Sequence, residues 1–76
     1  MSAQVGDAVI VRWTSCHAQM VAKGTIVKVN RQTVRVALSE AVPSPFTAGE
    51  TGWPVGHEIV VPMYGTPGNG FRKVDP

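Results

Sequence analysis

Apolar and polar residues alternate with a period of two over Thr33-Val34-Arg35-Val36-Ala37-Leu38, with Val34, Val36 and Leu38 on one side and Thr33, Arg35 and Ala37 on the other. That period predicts a strand with one buried face. The run Val5-Gly6-Asp7-Ala8-Val9-Ile10-Val11-Arg12-Trp13 opens on a turn signal and is rich in β-branched and aromatic residues. It reads as the first strand, with Val9, Val11 and Trp13 inward and Arg12 outward. A second strand runs from Met20 to Asn30. Gly24 is expected to mark a bulge or bend in it, after which Val27 and Val29 alternate with Lys28 and Asn30. Arg31-Gln32 is of hairpin length but lacks glycine, so Asn30 is expected to supply the left-handed residue. Lys28 and Arg35 then stand on the solvent side of adjacent antiparallel strands. Glu58-Ile59-Val60-Val61-Pro62-Met63 reads as a fourth strand at an edge or corner, because Pro62 has no N–H for a ladder. Phe71-Arg72-Lys73-Val74 supplies a short fifth strand.

Between these strands the period breaks. Thr14 to Gln19 is small and polar and reads as a connecting loop, and the only helix expected is a turn near Cys16 to Ala22. Residues 39–57 form a long excursion interrupted by Pro43, Pro45, Gly49, Gly52, Pro54 and Gly56. Phe46 and Trp53 are placed to cap a small hairpin within it. Gly65-Thr66-Pro67-Gly68-Asn69-Gly70 has the glycine spacing of a phosphate loop, but Phe71-Arg72 stands where Lys-Ser/Thr is required. Asn69-Gly70 explains the segment as a tight turn.

Five short strands in 76 residues predict one all-β domain over residues 1–76, a small five-stranded barrel with one long Pro/Gly-rich loop. At 43% hydrophobic and 16% charged residues the composition is that of a packed chain rather than a disordered tail. A single cysteine, Cys16, allows no internal disulfide and fits a reducing compartment. No leader pattern is visible, and the longest apolar run, Ala8 to Val11, is far short of the roughly 20 residues of a membrane span. A soluble cytoplasmic protein without membrane contact is expected. Its oligomeric state is not readable.

Charge is unevenly distributed along the chain. Residues 1–36 carry Arg12, Lys23, Lys28, Arg31 and Arg35 against Asp7 alone, while residues 37–70 carry Glu40, Glu50 and Glu58 and no base. The net charge of +2 is mild for a phosphate-binding domain, yet the basic half is also the clearest β-structure.

The runs Val5-Gly6-Asp7-Ala8-Val9-Ile10-Val11, Lys23-Gly24-Thr25-Ile26-Val27-Lys28-Val29 and Thr33-Val34-Arg35-Val36 resemble the opening of SH3-like barrels of the KOW and Tudor kind. The resemblance covers the first half of the chain. It implies a non-enzymatic module: KOW domains contact RNA or the transcription and translation machinery, and Tudor domains bind methylated peptides. A Tudor cage needs three or four clustered aromatics, whereas this chain has Trp13, Phe46, Trp53, Tyr64 and Phe71 to share between cage and core. The Gly- and Val-rich style and the Pro/Gly excursion also resemble small accessory proteins encoded by bacteriophages.

Two functions follow as expectations. In the first, Arg12, Lys23, Lys28, Arg31 and Arg35 lie along nucleic acid. In the second, Phe46 and Trp53 in the excursion, or an exposed strand edge, dock on a cellular protein or on a second copy. Trp13 is expected in the core. Catalysis, a metal site and a cofactor are not expected: Cys16-His17 with distant His57 is too few ligands for zinc, and Glu40, Glu50 and Glu58 stand apart.

Overall fold

The computed structural model describes residues 3–15 and 17–74, so expectations for Cys16 lie outside the described residues. Seven strands are formed: β1 (Ala8–Ser15), β2 (Ala18–Val29), β3 (Thr33–Leu38), β4 (Val42–Pro43), β5 (Thr51–Trp53), β6 (Glu58–Pro62) and β7 (Gly70–Lys73). Five of them make one antiparallel sheet in the order β6-β3-β2-β1-β7, curled into a half-barrel. This architecture is consistent with a small SH3-like β fold in general. The edge strands β6 and β7 share no ladder among the described residues, so of the five-stranded barrel expected from the sequence the sheet shows the half-barrel. Both edges are short and one ends in Pro62, which leaves little backbone with which to close the seam.

The concave side holds the core. Val9, Val11 and Trp13 of β1, Ala22 and Ile26 of β2, Val34, Val36 and Leu38 of β3, and Ile59 and Val61 of β6 are buried there, as the period of two requires. The excursion between β3 and β6 contains a two-stranded hairpin in which Val42 pairs with Trp53. It lays both residues on the core, with Trp53 meeting Trp13 edge-to-face at 5.4 Å between ring centroids.

Several local expectations are corrected. The chain at Val5-Gly6 is a turn rather than strand: Asp7 N–H donates to Gln4 C=O, and Gly6 takes a φ of 98° that only glycine adopts freely. The Thr14–Gln19 loop is instead the end of a hairpin, since Thr14 pairs with Gln19 and Ser15 with Ala18, and no helical turn forms among the described residues of this stretch. His17 bears the positive φ of 73° there. Asn30 does not adopt a left-handed conformation; its N–H donates to Thr33 C=O and its side-chain amide to Thr33 Oγ1.

The irregularity in β2 lies at Val27, between Ile26 and Lys28, not at Gly24. Gly24 is required for a different reason. A Cβ there would lie 2.5 Å from Val36 Cγ1 and 2.7 Å from the Ala37 carbonyl oxygen, so only glycine lets β3 approach β2 this closely.

Candidate functional site

Cross-strand register decides which charges meet. Ile10 pairs with Lys23 on one side and with Arg72 on the other, giving the outer-face row Arg72–Ile10–Lys23. The bulge at Val27 resets β2 so that Lys28 stands directly opposite Arg35, with Val60 next in that row. Between the two rows lies a third of small residues, Ala8–Thr25–Ala37, ending at Glu58. The convex face therefore carries cations on both sides of a low waist. Without the bulge, residue 28 would point to the other side of the sheet.

The predicted cations do not stand alike. Lys23 and Lys28 are exposed, and Arg31 is exposed in the β2–β3 turn beyond the Lys28 row. Arg35 is ion-paired at 3.0 Å with Glu58, both side chains nearly half exposed. Arg12, one row beyond Ile10, is half-buried: its guanidinium lies over Gly70 and donates to Thr66 C=O at 2.9 Å. Thr14 Oγ1 and Gln19 Nε2 donate to Gly68 C=O, and Thr14 N–H donates to Asn69 Oδ1. Together these bonds fasten the Gly65–Gly70 turn to the far end of the β1–β2 hairpin, so Arg12 is in large part a clamp.

Arg72 was not among the residues singled out from the sequence. The signal that could have found it is the pairing of the last strand with the first, a closure frequent in meandering sheets, which brings residue 72 beside Ile10. Its neighbour Lys73 points the other way in the ladder and pairs with Asp7 at 3.2 Å. The Asp7 carboxyl is held below its ordinary value, first by the hydrogen bond from Gln4 N–H and then by the Lys73 ammonium. Lys23 donates its backbone N–H to Glu40 Oε1, and its ammonium has no carboxylate within ion-pair distance among the described residues.

No family model matches the chain, and neither does any curated protein or solved structure.

The alternative pair of residues is separated by the fold. Trp53 is half-buried against Trp13, whereas Phe46 is 61% exposed in the loop between β4 and β5. His57 precedes β6 and His17 sits in the β1–β2 turn. Among the described residues no group of three or more His, Cys, Asp or Glu side chains is placed to hold a metal ion.

Proposed function

We propose that this protein is a non-catalytic binding module that holds nucleic acid on the convex face of its sheet. The observation that carries this is the composition of that face. Lys23, Lys28, Arg35 and Arg72 are brought together from three strands, β2, β3 and β7, and the carboxylates beside them are Glu58, which ends the row between, and Glu40 at Lys23. Like charges directly opposite on adjacent strands destabilise a sheet, and Lys28 stands directly opposite Arg35. A polyanion relieves what repulsion the Arg35–Glu58 ion pair leaves. The resemblance to KOW modules points the same way, toward RNA or machinery that handles it.

Lys23, Lys28, Arg31 and Arg72 have no carboxylate within ion-pair distance among the described residues. If each meets one phosphate, the logarithm of affinity falls with the logarithm of salt at a slope of about −3.6, so a fourfold rise in salt weakens binding roughly a hundredfold. Fluorescence anisotropy with a labelled oligonucleotide tests this. The variant Lys28→Gln/Arg72→Gln should bind more weakly to every sequence and flatten the slope by about 1.8. Absence of binding at low salt, or binding indifferent to both substitutions, would overturn the proposal. Retention of a protein partner that depends on Phe46 would favour the protein-recognition alternative.

A further inference from the structure

We infer that the ligand is a duplex, held by phosphates of both its strands across one groove and without base recognition; this rests on the nucleic-acid function proposed above. The two cation rows, Arg72–Ile10–Lys23 and Lys28–Arg35, are four ladder steps apart, about 13 Å at the usual strand rise. The side chains between them, Ala8, Thr25 and Ala37, are short, and only at its β6 end does this row carry a longer one, Glu58, which is turned onto Arg35. The outermost atoms of the face are therefore two lines of long cationic side chains flanking a low waist on a convex surface. Two phosphate chains lie on either side of a duplex groove, which is about 6 to 12 Å wide in B-form DNA. A convex ridge with cations along both flanks meets that arrangement, whereas one strand would occupy a single line of charge.

The aromatic residues support the same choice. Modules for single strands track the backbone with a basic groove and stack successive bases on aromatic side chains. Here no aromatic stands in the cation rows or between them. Trp13 and Phe71 occupy the inward positions of β1 and β7 and pack in or against the core, Trp53 is committed to Trp13, and Phe46 and Tyr64 lie in loops. Nothing on the face stacks on a splayed base, and its one planar amide, Gln19, donates to the carbonyls of Trp13, Met20 and Gly68. Contact is electrostatic and indifferent to sequence.

The test presents the whole protein with one sequence in three forms: a DNA duplex, an RNA duplex and a single strand. Anisotropy titrations are run at several salt concentrations. Two variants, Lys23→Gln/Arg72→Gln and Lys28→Gln/Arg31→Gln, neutralise the two sides separately, and their thermal melts establish that the fold persists. Expected are duplex binding severalfold tighter than single-strand binding and a salt slope flatter by about 1.8 for either variant. Preference between the DNA and RNA duplexes identifies which source supplies the paired phosphate chains. A single strand bound as tightly as a duplex, or a loss confined to one variant, overturns the duplex inference while leaving the basic face as the binding surface. Failure to bind any of the three forms overturns the nucleic-acid function itself.

Discussion

Replacing Gly24 with alanine should destabilise the protein more than any other single-methyl addition in the sheet. The added Cβ would come within 2.5 Å of Val36 Cγ1 and 2.7 Å of the Ala37 carbonyl oxygen, where ordinary contacts begin near 3.4 Å. Val36 is fully buried, and the Ala37 carbonyl belongs to the strand paired with β2, so neither can swing aside as an exposed side chain would. Relief requires β2 and β3 to separate locally. Overpacking of this kind costs about 2–3 kcal/mol, set against about half a kcal/mol regained from the lost flexibility of glycine in the unfolded chain. A chain of this length has roughly 4–11 kcal/mol of stability in all, and each kcal/mol moves the melting temperature by about 4–8 °C, so a fall of about 10–20 °C is expected. Thermal and urea unfolding followed by tryptophan fluorescence would measure it. A second substitution isolates the cause. Val36→Ala removes the atom nearest the new methyl, so it should cost about 1 kcal/mol less in the Gly24→Ala background than in the wild type. A melting temperature unchanged by Gly24→Ala, or effects that add within about 0.5 kcal/mol, would refute the claim that close approach of β3 is what demands glycine.

Other expectations concern the charged groups. Arg12→Gln removes the bond to Thr66 C=O and should cost about 1 kcal/mol while speeding hydrogen exchange at residues 66–70, whereas Lys28→Gln should change stability by less than about 0.5 kcal/mol. Glu58→Gln breaks an exposed ion pair and should alter stability by no more than about 1 kcal/mol, yet it removes the carboxylate that lies between the cation rows and frees Arg35. Oligonucleotide affinity at low salt should therefore rise severalfold, and an unchanged or weaker affinity would count against the basic face. Because the Asp7 carboxyl titrates lower in the folded protein than in the unfolded chain, its contribution is present above about pH 4 and is lost as pH falls through the folded value. Asp7→Asn should abolish that part of the acid dependence, read as the difference in urea midpoint between neutral and acid pH.

The inward positions were legible because a period of two states them directly: Val9, Val11 and Trp13, then Val34, Val36 and Leu38, are all buried where alternation puts them. Strand ends were less legible. Thr14 to Gln19 looks like a loop because its residues are polar, but both faces of the hairpin reach solvent there, so side chains say nothing about whether the backbone still pairs. Its ladder continues because Thr14 and Gln19 find partners in the Gly65–Gly70 turn, which is far away in the chain. Gly24 announced a special position but not its kind, since close backbone approach and a bulge leave the same mark in sequence.

Charge along the chain and charge on the surface are different distributions, and the difference lies in topology. Read linearly, the basic half ends at Arg35 and the acidic half begins at Glu40. In the sheet, β6 pairs with β3 and brings Glu58 onto Arg35, subtracting one cation from the face. β7 pairs with β1 and brings Arg72 beside Ile10, restoring one at the opposite margin. Arg12 remains on that face but spends its guanidinium on the Gly65–Gly70 turn, through which β7 reaches its place. Arg12 therefore serves the proposed interface mainly by positioning the strand that carries Arg72. That ordering separates the two residues experimentally: loss of Arg72 should weaken binding with little change in stability, whereas loss of Arg12 should lower stability first and binding as a consequence.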